Sequence, residues 1–294
     1  MTSNWVGIAN PGAGAFRFKS FRDTWMPLVS QHLARVIYTE APGHATEIAR
    51  ASEAFDGVAV IGGDGTLFEV LAGMTRPDQP LALIPAGRGN SLALDLGVHR
   101  VPAALAAITT GKTMNLDLIE VEAGFASGSS RIFHAASTVA IGYVAEVVGN
   151  AERFSRLGHY AYTPAAVLTR PRHAVMTLAY GTEAMQRREL TGIVINNTRF
   201  LANFLAFPRA CLSDGLVDVL ESRVGWTAQC LHNLSILTRR NFYDPVRRCQ
   251  TVGLHIYMDK PGSLMIDGER FDAVSELRVR CLVAAAVFQQ GSGA

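Results

Sequence analysis

The chain has 294 residues, of which 49% are hydrophobic and 18% charged, and a net charge of +2 at neutral pH. This balance excludes a disordered or fibrous chain, and the length predicts two domains. The near-neutral charge gives no reason to expect nucleic acid as a partner. Cys211, Cys230, Cys249 and Cys281 include no C-x-x-C pair, so neither a zinc site nor a disulfide framework is indicated.

The first 110 residues or so repeat one pattern. Trp5–Asn10, Arg35–Thr39, Val58–Ile61 and Leu81–Ile84 read as short buried strands, each followed by a polar, Gly-rich or Pro-rich loop and a helix-like stretch. That alternation predicts a parallel, doubly wound sheet with ligands at the carboxyl ends of its strands. The loops at those ends are Asn10-Pro-Gly-Ala-Gly14, Thr39-Glu40, Gly62-Gly-Asp-Gly-Thr66 and Pro85-Ala-Gly-Arg-Gly-Asn90. After Gly111 the pattern changes. Strands are predicted over Met114–Glu122, Arg131–Val144, Ala174–Tyr180, Leu190–Asn196, Leu216–Arg223, His255–Ile266 and Ser275–Val287, with helical stretches near 151–169 and 226–240. The expected division is an α/β domain over 1–114 and a mainly β domain over 115–294, with the last dozen residues returning to the first.

The loop at 62–66 carries the most chemistry. A glycine-rich turn between strand and helix brings backbone N–H groups and a helix N-terminus close to phosphate oxygens. Asp64 in its middle would repel phosphate, unless a metal ion bridges the two or the carboxylate takes a proton from an attacking hydroxyl. The loop is neither a Walker A sequence nor a dinucleotide fingerprint. A tight turn alone would also use such glycines.

Together these segments resemble the diacylglycerol kinase catalytic-domain superfamily, which includes diacylglycerol, sphingosine and ceramide kinases. The resemblance runs from Asn10 to about Phe271. It rests on Asn-Pro-Gly-x-Gly, Gly-Gly-Asp-Gly-Thr-Leu-x-Glu-Val (62–70), Ile-Pro-Ala-Gly-x-Gly-Asn (84–90), Ser-Asp-Gly-Leu-Val-Asp (213–218) and Asp-Gly-Glu (267–269), in that order. It implies an NAD-kinase-like doubly wound domain that holds ATP, with a β-sandwich domain for the lipid. By the resemblance, Asn10, Gly12, Gly14, Thr39, Gly63, Gly65, Thr66, Glu69, Gly87, Arg88, Asn90 and Asp267 serve the nucleotide. Asp64 matches the catalytic aspartate and Glu269 a glutamate proposed as general base, and the sequence leaves open which takes the proton. Asp117 matches a residue of a water–magnesium network, and Asp214 a structural Mg²⁺ site; hard oxygen ligands suit that ion.

The sphingolipid branch resembles this chain further at Thr39-Glu40-x-x-x-His44-Ala45 and along 138–147 and 152–158. Thr138, Glu146 and Val148 are therefore the substrate-binding candidates. Val148 stands where sphingosine kinases place an aspartate that holds the lipid's amine. An apolar residue there leaves an ammonium unpaired at a cost of several kcal/mol, which favours a neutral acceptor, ceramide ahead of diacylglycerol. Ser91 replaces an aspartate of bacterial diacylglycerol kinases, and Arg88 a small residue.

The expected activity is an ATP- and Mg²⁺-dependent lipid kinase. A soluble-substrate kinase of the NAD type and an inactive lipid-binding protein are the rivals. No secretory signal is read at the N-terminus, and the longest apolar run, Cys281–Phe288, falls short of the roughly 20 residues that span a bilayer. A cytoplasmic protein in peripheral contact with the inner membrane face is expected. The arginines around Phe242 and Tyr243 in 237–248 suit an anionic membrane surface, and a homodimer is compatible with the resemblance.

Overall fold

A computed structural model describes residues 4–14, 17–87, 90–201, 204–238 and 243–291. The chain divides into two compact units: Met1–Asp117 with Ala284–Ala294, and Leu118–Val283.

The first unit contains β1 (Trp5–Ala9), α1 (Arg17–Thr24), α2 (Met26–Ser30), β2 (Arg35–Tyr38), α3 (His44–Arg50), β3 (Gly57–Gly62), α4 (Asp64–Gly73), β4 (Leu81–Pro85), α5 (Ser91–Asp95) and α6 (Val101–Thr110). Its sheet runs β2-β1-β3-β4 with every neighbouring pair parallel. Every residue of β1 and β3 is buried, which explains their unbroken apolar sequences: a parallel strand has no solvent face. Helices pack closely because small residues permit it. A Cβ on Gly73 of α4 would meet the Thr46 carbonyl oxygen of α3 at 2.1 Å.

The second unit is antiparallel and strand-rich. It holds most of β5 (Thr113–Phe125), then β6 (Ser130–Ala135), β7 (Thr138–Gly142), α7 (Tyr143–Ala151), a 3₁₀ segment (Glu152–Ala161), α8 (Tyr162–Leu168), β8 (Ala174–Tyr180), β9 (Gln186–Leu190) and β10 (Gly192–Asn196). After these come β11 (Phe200–Leu201), β12 (Phe204–Leu205), β13 (Val217–Ser222), α9 (Trp226–Leu237), β14 (Arg247–Thr251), β15 (Gly253–Ile266) and β16 (Glu269–Gln289). Long β15 serves two sets of partners. Its residues 254–258 pair with β8, and 264–266 with β7. Register shifts between Tyr257 and Leu264, where Pro261 cannot donate to a ladder, mark the bend between them. The last strand reaches the first unit, where Phe288 pairs in parallel with Leu81 of β4. Phe288 is fully buried, so the C-terminal segment forms part of that unit's core.

Several features differ from the predicted elements: β11, β12 and β14 fall in no predicted strand, and two further differences lie around β7. The strand expected over Arg131–Val144 is broken at Ala136-Ser137, and helix begins at Tyr143 rather than near 151. Gly142 causes the second change. Its φ of 74° turns the chain from β7 into α7, and a Cβ there would meet the Thr191 carbonyl oxygen at 2.6 Å. Among the described residues no helix is long and apolar enough to cross a membrane.

Candidate nucleotide site and the acidic turns

In the order β2-β1-β3-β4 the chain moves to one side of β1 and then to the other, so the topology reverses between β1 and β3. Open α/β sheets bind ligands in the crevice outside that point. Here the loops after β1 and β3 meet: Asn10 Nδ2 donates to Thr66 Oγ1 at 3.1 Å, and the Asn10 N–H to the Ile61 carbonyl at 3.0 Å. The Asn10 carboxamide oxygen also accepts the Gly12 N–H at 2.8 Å, which holds the first loop in a turn ending at Gly14, φ 58°. The N–H groups of Ala86 and Gly87 donate to the Gly62 carbonyl, which brings the loop after β4 alongside. Asn90 closes that loop on Gly87 through hydrogen bonds in both directions.

Gly63 is the N-cap of α4 and makes no side-chain cap bond to its first-turn amides, the kind of helix N-terminus that suits an anion. Gly62 must be small because Thr66 lies over it; a Cβ would stand 2.5 Å from Thr66 Oγ1. Gly62→Ala is therefore expected to displace Thr66, break its bond to Asn10 and destabilise the unit by about 2 kcal/mol. A urea midpoint, with KM for ATP raised in parallel, checks this.

Asp64 is the first residue of α4, and its carboxylate accepts the Ser91 N–H at 3.3 Å. Burial pushes its carboxyl up to about 6, against the backbone donors of Ser91 and Leu92. A carboxylate held near neutrality suits proton transfer at physiological pH. Glu69 stands one turn further along. Its Oε2 accepts the Ala45 N–H at 3.2 Å and its carbonyl accepts the Thr46 hydroxyl at 2.8 Å, so it caps α3 and anchors the loop after Thr39. Thr39 leaves β2 with its N–H on the Ala9 carbonyl. Asp117 is buried, and its Oδ1 accepts the Ala284 N–H at 2.8 Å, tying β5 to the returning C-terminal segment. Arg88 lies outside the described residues.

In the second unit the resemblance assigned Asp267 to the nucleotide. The structure gives that carboxylate backbone partners. Asp267-Gly268 is a two-residue hairpin between β15 and β16, with φ of 45° and 94°, the positive angles of a type I′ turn. Asp267 is buried, and its carboxylate accepts the N–H groups of Ala136 (2.8 Å), Ser137 (3.1 Å) and Thr138 (2.7 Å). The break between β6 and β7 is thus organised by a carboxylate from far along the chain. Glu269 follows at the start of β16, exposed.

Thr138, a predicted substrate contact, is buried with its hydroxyl donating to Asn196. Glu146 and Val148 lie on α7, both half-buried. Val148 packs against a core of Ala140, Ala145, Val194, Phe207 and Met265. Asp214 Oδ1 accepts the Leu216 N–H at 3.0 Å in the turn before β13. Burial, opposed by Gln250 and reinforced by the charge of Asp214, raises the Asp218 carboxyl. Such a pair of hard oxygens fits a divalent cation, and no third carboxylate, His or Cys joins it among the described residues. Of the stretch 237–248, residues 239–242 lie outside the described residues. Arg248 pairs with Asp244, and Arg247 lies 3.9 Å from Glu221.

The model of the diacylglycerol kinase catalytic domain matches residues 4–121. Over those residues the chain is similar to the diacylglycerol kinase catalytic-domain superfamily. Human sphingosine kinase 2 is 32% identical over 183 residues, 55% of this chain and 27% of that protein. A diacylglycerol kinase from Bacillus anthracis superposes with a TM-score of 0.76 at 21% identity, covering 99% of this chain and 98% of that one. An Archaeoglobus fulgidus NAD kinase solved with ATP gives 0.53 at 13% identity, covering 98% and 94%. These likenesses carry the fold, an NAD-kinase-like α/β unit followed by a β-rich one. The chain spans less than half the length of the two human sphingosine kinases it matches.

Proposed function

We propose that this chain is a lipid kinase of the diacylglycerol kinase type, which transfers the γ-phosphate of ATP to a hydroxyl group of a lipid. The observation that carries the reading is Asp64, a carboxylate raised to about 6 at the N-terminus of α4, beside the Asn10–Thr66 bridge. The triphosphate would lie against the first-turn amides of α4 and the loops at Asn10–Gly14 and Gly87–Asn90. The acceptor oxygen bonds to the γ-phosphorus as the bond to the β,γ-bridging oxygen breaks, and ADP leaves. The hydroxyl proton passes to Asp64 or to Glu269, the two candidate bases. Mg²⁺ on the phosphates would lower the charge that opposes a nearby carboxylate. Asp117 is the candidate for its water network, and Asp214 beside Asp218 for a separate structural ion.

Ceramide is the favoured acceptor, because Val148 in its apolar cluster offers nothing to an ammonium group. A sphingoid base is the second reading, favoured by the names of the sphingosine and sphingoid-base kinases among the relatives. The test is transfer of labelled γ-phosphate from Mg·ATP to ceramide, diacylglycerol, sphingosine and NAD in matched mixed micelles. Label on ceramide supports the Val148 argument, and faster turnover of sphingosine overturns it. Near-native turnover by both Asp64→Asn and Glu269→Gln would remove both candidate bases.

A further inference from the structure

The second unit carries a groove of about 440 Å³ in which four arginines, Arg187, Arg188, Arg223 and Arg247, meet two carboxylates, Glu189 and Glu221. Arg188 comes from β9 and Glu221 from β13, and Arg247 of β14 stands opposite Glu221 in register. The hydrogen bonds show which of these charges are already used. Glu221 is buried, and both of its oxygens are taken: Oε1 accepts the Tyr180 hydroxyl, and Arg188 donates to Oε1 and Oε2 at 2.8 Å each. Arg188 also donates to Gln186 at 2.6 Å, and Arg187 donates to Asp259 at 2.7 Å. Glu189 faces the His173 ring at 4.0 Å.

Two cations are left over. Arg247 stops 3.9 Å from Glu221, beyond hydrogen-bond reach, with its guanidinium 5.8 Å from the Tyr180 ring. Arg223 is exposed and makes no ion pair or hydrogen bond among the described residues. Both therefore present unused donors beside a carboxylate that Arg188 has already neutralised. The planar guanidinium fork matches a phosphate through two parallel, charge-assisted bonds. The bonds among Tyr180, Glu221 and Arg188 fix this wall of the groove before any ligand arrives, which lowers the ordering cost of binding.

The rest of the lining narrows the ligand. Its apolar members are Leu190, which is buried, and Pro245, too little surface to hold an acyl chain. Among the described residues no aromatic side chain lines the groove, so a nucleobase would find nothing to stack on. We propose that this groove binds a soluble phosphate monoester with a compact, polar body, its phosphate held by Arg223 and Arg247. The inference goes beyond the kinase reading and does not depend on it, because binding is measured without ATP.

The test is calorimetric titration of the whole chain with glucose 6-phosphate at constant ionic strength. Saturable binding is expected. Arg223→Gln and Arg247→Gln should each raise Kd about tenfold, the loss of one charge-assisted contact. Arg209→Gln, an exposed arginine at a different pocket, should leave Kd unchanged. Without ligand, Arg223→Gln should unfold at the native temperature. An excess of glucose 6-phosphate should raise the native midpoint more than that of the variant. Equal affinity in both glutamine variants overturns the proposal and places the phosphate elsewhere, the nucleotide loops included. An equal loss in Arg209→Gln also overturns it, by reducing the effect to net charge. Failure of the soluble ester to bind, with capture of phosphatidic acid vesicles that the same two variants lose, would assign these arginines to a lipid headgroup and overturn it as well.

Discussion

If Asp64 rather than Glu269 is the base, Asp64→Asn is expected to lower phosphate transfer by about a thousandfold, the range for removing a general base, while leaving the fold intact. The same change should make the protein more stable at neutral pH. Burial raises the Asp64 carboxyl from 3.8 to about 6, so the folded state holds its proton more tightly than the unfolded chain does. The resulting stabilisation is fully present below pH 4 and is lost as pH rises through about 6. At pH 7 the native protein therefore carries a charge that the fold disfavours, and asparagine removes it. Melting temperatures of native and variant should differ by a few degrees at pH 7 and converge near pH 4. A variant that is both inactive and less stable at pH 7 would show that Asp64 serves the fold. For the native enzyme, kcat/KM is expected to fall tenfold per pH unit below about 6 if Asp64 is the base, and the falling limb should vanish in any residual activity of the variant.

Asp267→Ala should be the most destabilising single change in the second unit. Three backbone N–H groups, of Ala136, Ser137 and Thr138, lose a buried charged acceptor at once, and alanine at φ 45° adds strain. A loss on the order of 4 kcal/mol follows from the cost of leaving buried donors unpaired. Asp267→Asn keeps the turn geometry, since asparagine tolerates positive φ, and retains one acceptor oxygen for two of the three donors. Its loss should be nearer 2 kcal/mol. Urea denaturation of both variants gives the ratio. A loss below 1 kcal/mol for the alanine would mean that water replaces the carboxylate. Because Glu269 follows two residues later, the asparagine variant also tests positioning: kcat should fall more than KM rises if Glu269 takes part in the transfer.

Much of the first unit was legible because its signals are local. The apolar runs of β1, β3 and β4, the glycines after them and the alternation with helices each need only a dozen residues to be read. The order of loops then placed Asn10, Asp64 and Asn90 at equivalent strand ends. The Asp-Gly of 267–268 likewise carries a local signal, that of a hairpin turn. What escaped was partnership. The carboxylate of Asp267 serves amides 129 to 131 residues earlier, and Glu69 caps a helix that begins 25 positions before it, so neither oxygen has a neighbour in sequence that betrays its use. Gly142 held the signal for the early start of α7, but a glycine inside an apolar run also fits a strand.

The residue types of the nucleotide loops, the parallel α/β order of the first unit and the β-rich character of the second were determined by the sequence itself, through short-range pattern and backbone sterics. The tertiary structure alone decided the pKa of Asp64, because burial depends on what packs over α4. It also supplied the partner of the C-terminal segment whose return the sequence led one to expect, Leu81 beside Phe288. It decided the rotation of α9 as well. Helical periodicity marks two faces but does not say which one finds partners, and here Ser222, Tyr143 and Tyr243 took the polar face and turned Leu231 and Leu234 outward.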